Sequence, residues 1–377
     1  MFHHPPKLPY CGLAIVLDNP SRFDLKNKRL ITGIVGDYFA QGLGVSLAAC
    51  HIYDMAEPCA FPLSFPAGTK TCLLLGETAA RRWSNTSSSI HKMRGIPFTH
   101  QGVSVIPSYL PQETFDAQPY EVIHNPVAKG ILEEAKRGND SNAKDSARTS
   151  RSTWRFWLQQ DAQKAVTLLK KHNGIIPVTA PHYELYPQLS AVERHFATLS
   201  EHTAVYLDIE TDCEQNLLCI GLGDAASEIC WTIPFLRHDY TLAYADWPRL
   251  FRLLGQLFAR HEVVIHNSMF DLSVLALKYR MEPPLRIYDT MLAQARIYPE
   301  IGKSLGHCLS MWTWERFHKD DGVFMPHNTE EELRLWKYNA ADIWTMRLIH
   351  QAQAAHASCI KGLPESIAQV NSSIRSY

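Results

Sequence analysis

The stretch Val205–Thr211, VYLDIET, carries a run of β-favouring apolar residues into two acidic side chains. Side chains of an extended strand alternate between its faces, so Asp208 and Glu210 leave the same face while Ile209 points into the opposite layer. Two carboxylates this close repel each other, and a divalent cation is the natural partner to compensate them. Taken alone, such a pair is more often a solvated strand end, so the metal site needs further support.

Two later stretches supply that support. In IHNSMFDLSVL, Asn267 lies where a strand ends and a helix begins, which suits an N-cap, and Asp271 follows one helical turn later. In KYNAADIWTM, Tyr338 and Asp342 are spaced i, i+4, so phenol and carboxylate project side by side. Each stretch has a plain alternative, a capped helix with an exposed Asp or an amphipathic helix with a polar edge. All three stretches in this order predict one shared site.

Four carboxylates from a strand and two helices supply hard oxygen ligands, which select Mg²⁺ or Mn²⁺. Two such ions about 4 Å apart can activate a water and stabilise the leaving oxygen of a phosphodiester. We expect Asp208 to bridge both ions, Glu210 and Asp342 to complete the site of the ion that carries the nucleophilic water, and Asp271 to serve the second ion largely through water. Tyr338 could orient the attacking water. The predicted reaction is hydrolysis.

The surrounding pattern predicts a dense α/β unit. AVYLDIE, LLCIGLGD and EICWTIPF indicate three closely spaced strands, which is typical of an antiparallel meander. Residues 247–261 predict an amphipathic helix, EVVIHN a strand and SMFDLSVLALKYR a second helix. LRIYDTMLA reads as a strand that enters a helix, and EEELRLWKYNAADIWTMRLIHQAQ as a long closing helix. Together these elements predict a mixed five-stranded sheet with flanking helices.

The first 130 or so residues alternate short buried strands with helices, in GLAIVL, TCLLLGETAARRW and GVSVIPSY, which predicts a separate α/β layer. Residues 137–153 hold almost no large apolar side chain and predict a mobile linker. Residues 154–172 have helical apolar spacing and predict a connector helix. We therefore predict an N-terminal domain over 1–132, a linker and connector over 133–174, and a second domain over 175–377.

Composition narrows the class of protein. The 377 residues suffice for two or three domains, and a net charge of -1 provides no global positive field, so a polyanion must be held by local patches or by metal ions. No apolar run approaches a membrane span, and the first residues lack a secretion signal. Nine cysteines without paired spacing suit a reducing compartment. We expect no membrane partner and a cytoplasmic location, bacterial or in a phage-infected host.

The three acidic stretches resemble the motifs of the DnaQ-like, DEDD superfamily of 3′-5′ exonucleases: DIET, NSMFD and YNAAD, whose Tyr marks the DEDDy branch. Residues 288–312 resemble the segment between the second and third motifs in the proofreading domain of family A DNA polymerases. We interpret Asp289 there as a helix cap. The resemblance spans about residues 175–355 and implies an RNase H-like fold, two metal ions, and release of nucleoside monophosphates from a 3′ end.

Several residues near the motifs could contact a substrate. Met269 and Phe270 could lie under the terminal base, because stacking on apolar and aromatic side chains is sequence-tolerant, although packing in the helix interface would explain them equally well. Lys303 and His307 could meet phosphates, with surface solvation as the alternative. The predicted substrate-binding residues are Ile209, Thr211, Asn267, Met269, Phe270, Lys303 and His307.

The N-terminal half resembles family 4-like uracil-DNA glycosylases over about residues 10–125, in AIVLDNPSRFD, LLLGETAARRW and MRGIPFTHQGVSVIPSYLP. In that family a histidine precedes the proline of the final motif and stabilises the uracil anion, whereas this chain has Leu110, which cannot. We predict a non-catalytic, glycosylase-like module. His91, Lys92 and Arg94 form a basic cluster suited to phosphate contact, or a solvated loop.

The leading hypothesis is a metal-dependent 3′-5′ DNA exonuclease that acts on single-stranded DNA or DNA 3′ ends. Too few residues follow Asp342 for a polymerase domain, so we expect a separate DNA polymerase subunit and a proofreading or replication role of phage type. The alternatives are a 3′-5′ exoribonuclease, since nothing reads a 2′-OH, a DNA-degrading nuclease, or an inactive DNA-binding scaffold. A scaffold would be expected to lack a metal acid, and all four are present.

Overall fold

The computed structural model describes residues 3–18, 39–54, 65–111, 151–323 and 325–374. The chain divides into two compact units. Unit 1 comprises Met1–Val178 with Trp314–Phe317, and unit 2 comprises Thr179–Thr313 with His318–Tyr377. No helix among the described residues combines the length and apolar character needed to cross a membrane.

Unit 1 is built on a sheet that has six strands within the described residues, in the order β1-β3-β2-β4-β6-β5. The four inner strands are parallel, and each edge strand pairs antiparallel with its neighbour. The inner strands LAIVL and TCLLL are fully buried, as continuous apolar runs in parallel sheets usually are. The elements are β1 His3–His4, β2 Leu13–Leu17, β3 His51–Asp54, β4 Thr71–Leu75, α1 Glu77–Ser84, α2 Ile90–Met93, β5 Phe98–His100, β6 Val103–Ser108 and α3 Arg151–His172.

Helix α3 is part of the core of unit 1. It begins at Arg151, inside the segment predicted to be a linker and three residues before the predicted helix start; the rest of that segment lies outside the described residues. One face of α3 buries Leu158, Ala162 and Ala165 against the strands of the sheet. The division of the chain at 132 and 174 stays a prediction.

The predicted phosphate contact of Arg94 is wrong. Arg94 is only 1% exposed, and its guanidinium forms an ion pair with Asp161 of α3, with Nε donating to Oδ2 at 2.9 Å. The Ser108 hydroxyl donates to the same oxygen at 2.6 Å, and the guanidinium stacks on Trp157. A charge buried in this way is satisfied within the protein and cannot reach a phosphate.

Unit 2 contains a mixed sheet with the order β12-β11-β8-β9-β10-β7, six strands in the part of the chain that the structure describes. The antiparallel meander β8-β9-β10 and the two later strands, β11 and β12, are confirmed, and β11 pairs parallel with both β8 and β12. The prediction of five strands is wrong, because β7 pairs with β10 at the edge. The elements are β7 His182–Leu185, α4 Leu189–Ala197, β8 Val205–Thr211, β9 Leu217–Asp224, β10 Ile229–Pro234, α5 Trp247–Arg260, β11 Glu262–Ile265, α6 Ser268–Tyr279, β12 Arg286–Asp289, α7 Thr290–Ile297, α8 Leu305–Trp312, α9 Thr329–Ser358 and α10 Leu363–Ser373.

Two glycines of β9 let helix α9 lie close to the strand that carries the acids. Gly221 pairs with Asp208 across the sheet, and Gly223 pairs with Tyr206. A Cβ on Gly221 would lie 2.6 Å from Oδ1 of Asn339 and 2.7 Å from Ile343, both on α9. The absence of a side chain at Gly221 therefore sets the distance between α9 and β8.

We expect Gly221→Ala to lower the free energy of unfolding by about 1–3 kcal/mol, the usual cost of overpacking a core. Gly255→Ala is the matched control, because Gly255 lies within α5 and a Cβ there would meet nothing within 4 Å. The free energy of unfolding of that control should rise by up to about 1 kcal/mol, because alanine favours the helix more than glycine does. Urea unfolding measures both changes. A neutral or stabilising Gly221→Ala would contradict the close approach of α9.

Candidate active site

Three carboxylates from two elements meet beside strand β8. Asp208 and Glu210 lie on one face of β8 and are half-buried, and Asp342 of α9 is buried. Each of the three offers an oxygen, and these oxygens all lie within 4.8 Å of one another. Residues separated by more than 130 positions in the sequence are thus brought to one site by the packing of α9 on the sheet.

The fourth acid, Asp271, is joined to β8 through the main chain. It lies in the first turn of α6, is 4% exposed, and its Oδ1 accepts a hydrogen bond from the backbone N–H of Ile209 at 3.0 Å. Burial and the charge of Asp208 raise its pKa well above the usual value. Asp271 is therefore electrostatically coupled to the other acids, and its expected role at a second ion stays a prediction.

Helix α6 starts at the predicted residue, but a different side chain caps it. Asn267 occupies the N-cap position with a left-handed φ of 64°, yet its side chain makes no capping hydrogen bond. Asp289 takes that role, accepting the backbone N–H of Asn267 at 3.2 Å and that of Ser268 at 2.8 Å. The same carboxylate caps α7 through the N–H groups of Met291 and Leu292, which confirms the helix-cap interpretation of Asp289.

Asn339 is a site residue that is not among those predicted from the sequence. Its Nδ2 donates to Oδ2 of Asp208 at 2.8 Å, and its Oδ1 accepts from the Thr232 hydroxyl at 3.2 Å. Asn339 therefore orients one oxygen of Asp208. Its position three residues before Asp342, on the same helix face, is the signal that could have indicated it.

His318 and Lys319 are two further residues that are not predicted from the sequence. His318 Nε2 lies 2.7 Å from Oδ1 of Asp342, and Lys319 Nζ donates to Oδ2 at 2.6 Å. Lys319 Nζ also lies 4.3 Å from the ring centroid of Tyr338. The two residues precede α9 in a segment without regular structure, so no periodic pattern marks them.

The electrostatics of the site suit a hard divalent cation. Burial, followed by repulsion from Asp342, raises the pKa of Asp208 to about 7. Burial, followed by repulsion from Asp208 and then from Asp342, raises the pKa of Glu210 well above its usual value. Burial would also raise the pKa of Asp342, but Lys319 and His318 outweigh it and lower that pKa. A donor set of crowded carboxylate oxygens fits Mg²⁺ or Mn²⁺, whose charge would relieve the repulsion.

The raised pKa of Asp208 predicts a pH-dependent stability of the metal-free protein. An acid whose pKa is higher in the folded state than in the unfolded state contributes stability at low pH and loses it as pH rises through the folded value. We expect the metal-free protein to lose stability between about pH 4 and just above pH 7, by at most about 4 kcal/mol from Asp208. Thermal unfolding at several pH values, with and without Mg²⁺, measures this. A stabilisation by Mg²⁺ that does not grow from pH 5 to pH 8 would contradict the assignment.

The predicted substrate-binding residues fall into different environments. Met269 and Phe270, at the start of α6, are 47% and 42% exposed and are accessible to a ligand. Thr211 is half-buried at the end of β8. The side chain of Ile209 is 4% exposed and belongs to the core of unit 2, so its predicted contact with a substrate is wrong for the side chain.

Lys303 and His307 form hydrogen bonds with residues close to them in the sequence. The ammonium of Lys303 donates to the carbonyl of Pro299 at 2.9 Å. His307 Nδ1 lies 2.7 Å from the hydroxyl of Ser304, which caps α8. Phosphate contact by these two residues stays a prediction.

Comparison with known proteins identifies similar solved structures only. Neither a protein-family model nor a curated protein matches the chain. Escherichia coli RNase D, an exoribonuclease involved in structured RNA processing, is 15% identical, with a TM-score of 0.40 over 52% of this chain and 51% of that chain. Trypanosoma brucei RNase D in complex with GMP is 13% identical, with a TM-score of 0.39 over 52% and 63%.

A third structure, Brucella melitensis NrnC, is 17% identical, with a TM-score of 0.39 over 52% of this chain and 88% of that chain. The chain thus spans about half of E. coli RNase D and less than two thirds of the trypanosome enzyme. Each match covers about half of this chain at low identity, so its function has to be inferred from its own site.

Proposed function

We propose that unit 2 is a 3′-5′ exonuclease that hydrolyses phosphodiester bonds with two Mg²⁺ or Mn²⁺ ions and releases nucleoside monophosphates from DNA 3′ ends. The observation that carries this proposal is the meeting of Asp208, Glu210 and Asp342 within 4.8 Å of one another. Asp208 and Glu210, for which the described residues supply no ion-pair partner, are a poor structural device, because burial and repulsion make their ionisation unfavourable. They suit a site that binds cations for catalysis.

The protein groups around the acids have separable roles in this reaction. Bound divalent cations would supply an activated water and stabilise the leaving oxygen. Asn339 and His318 hold the carboxylates of Asp208 and Asp342 in place. Burial and the charge of Asp342 raise the pKa of Tyr338, so its phenol keeps its proton at neutral pH. Tyr338 therefore orients the attacking water by hydrogen bonding and does not act as a base.

The exposed Met269 and Phe270 support binding of a strand end. They precede Asp271 directly, so a base stacked on them would place its sugar and phosphate near the acids. Such contacts read no sequence, as expected of an enzyme that removes any terminal nucleotide. We propose proofreading or replication-associated trimming, with a separate DNA polymerase as the partner.

The products released from end-labelled strands test this function. We expect the metal-loaded protein to release mononucleotides at once from a 3′-labelled DNA oligonucleotide, whereas a 5′-labelled one should shorten stepwise. An RNA strand of the same sequence should be trimmed more slowly if DNA is the substrate. Faster trimming of RNA would favour the exoribonuclease alternative, and no release from either strand would favour the scaffold.

We propose further that unit 1 is a glycosylase-like module without glycosylase activity. Leu110 is buried where the family motif places a histidine. Asp18 is the acid of the first resembling stretch, AIVLDNPSRFD, and its carboxylate accepts hydrogen bonds from the N–H groups of Thr78 and Ala79 at the start of α1. That acid therefore serves as a helix cap. Abasic sites appearing in uracil-containing DNA would contradict this proposal, and intact DNA is the expected result.

A further inference from the structure

A basic residue lies inside the acidic site. Lys319 contacts the site at two points: its ammonium donates to Oδ2 of Asp342 at 2.6 Å and lies 4.3 Å from the ring centroid of Tyr338. Its side chain is 21% exposed, so one side remains accessible to a ligand. His318 holds the other oxygen of Asp342 at 2.7 Å and is 5% exposed. Both oxygens of Asp342 are therefore contacted by basic side chains of the protein itself, without a metal ion.

The charges of the site suggest what happens when cations bind. Once ionised, the four carboxylates carry four negative charges, which the one ammonium of Lys319 cannot balance. Two divalent cations would balance the carboxylates of Asp208, Glu210, Asp271 and Asp342 completely. The ammonium of Lys319 would then lack an anionic partner, and the single negative charge of a phosphodiester would restore neutrality. Lysine is suited to such an exchange, because its ammonium is a compact point charge on a flexible four-carbon stem.

We propose that Lys319 is a phosphate-binding residue of this site: its ammonium neutralises Asp342 in the metal-free protein and moves to the scissile phosphodiester when divalent cations take over that carboxylate. This inference rests on the proposed exonuclease function. His318 remains on Oδ1 of Asp342 and positions the carboxylate while Lys319 moves. In the loaded site Lys319 stabilises the charge that develops on the phosphate, as other charged donors do.

Binding of a DNA oligonucleotide provides a test that does not depend on turnover. Fluorescence anisotropy compares wild type, Lys319→Met and Lys337→Met, where Lys337 is an exposed lysine of α9 and controls for the loss of one positive charge. In EDTA the two variants should bind alike, because Lys319 is held by Asp342. With Ca²⁺ in place of Mg²⁺, Lys319→Met alone should bind about ten-fold more weakly, the worth of one charge-assisted hydrogen bond. Equal binding of the two variants in Ca²⁺ would overturn the proposal.

Titration with Mn²⁺ separates this role from a purely structural one. Lys319→Met should bind Mn²⁺ several-fold more tightly, because the ammonium no longer competes for Asp342. At saturating Mn²⁺ its kcat should still be about 10²–10³-fold below wild type, and Lys319→Arg should recover part of the loss. A kcat equal to wild type at saturating Mn²⁺ would show that Lys319 is only a counter-ion. Thermal unfolding confirms that each variant is folded, and a wild type without activity would instead refute the exonuclease itself.

Discussion

Asp208→Asn is expected to lower the rate of nucleotide release by about 10³-fold or more, while the protein remains folded. The substitution keeps the shape of the side chain and the hydrogen bond from Asn339, which can be accepted by the amide oxygen. It removes the charge of one of the three carboxylates that meet at the site. A neutral amide is a far weaker ligand for a hard divalent cation, so both metal affinity and the rate should fall.

The matched control for this variant is Asp246→Asn. Asp246 precedes α5, its side chain is 60% exposed and it makes no capping hydrogen bond, so the same chemical change should leave the rate unchanged. Release of mononucleotides from a 3′-labelled strand measures both variants, and calorimetry with Mn²⁺ measures the loss of binding. In the metal-free protein at pH 8, Asp208→Asn should raise the melting temperature, because the raised pKa of Asp208 marks a destabilising charge. Full activity of Asp208→Asn would remove the proposed metal centre.

The sequence predicts the parts of unit 2 that depend on local patterns. Strand β8 and its acids follow from alternation, and the pairs on α6 and α9 follow from helical spacing. The edge strand β7 could not be predicted in the same way. It has four residues, HYEL, of which two are exposed, so it lacks both the apolar run and the alternation of a half-buried strand.

The residues that support the acids are set by contacts between distant segments. Lys319 and Asp342 meet only because the segment before α9 returns to its face, and the sequence holds no local record of that contact. Arg94 is a parallel case, since its partner Asp161 lies 67 positions away on another element. An exposed basic residue and a buried ion-pair partner have the same appearance in a sequence. The candidate metal-binding acids can be predicted because their spacing within one strand or helix indicates a shared site. The residues that support them cannot be predicted, because no local pattern marks their contacts.

Asp289→Ala is expected to lower the free energy of unfolding by about 3–5 kcal/mol, more than any other substitution proposed for this protein. The carboxylate is 1% exposed and accepts hydrogen bonds from the N–H groups at the starts of α6 and α7. It also accepts the Ser268 hydroxyl at 2.7 Å. Alanine would leave several buried donors without an acceptor, and each unsatisfied group costs about 1–3 kcal/mol, partly offset by relaxation.

Asn328→Ala is the comparison that separates this effect from ordinary capping. Asn328 caps α9 through a single hydrogen bond to the N–H of Glu331 at an exposed site, so its loss should cost about 1 kcal/mol. Asp289→Ala should also weaken Mn²⁺ binding, because Asp271 lies in the first turn of the helix that Asp289 holds, whereas Asn328→Ala should not. Urea unfolding and Mn²⁺ calorimetry measure the two effects. Equal losses of unfolding free energy in the two variants would mean that Asp289 is an ordinary helix cap. In that case α6, and with it Asp271 beside β8, would keep its position when the Asp289 carboxylate is removed.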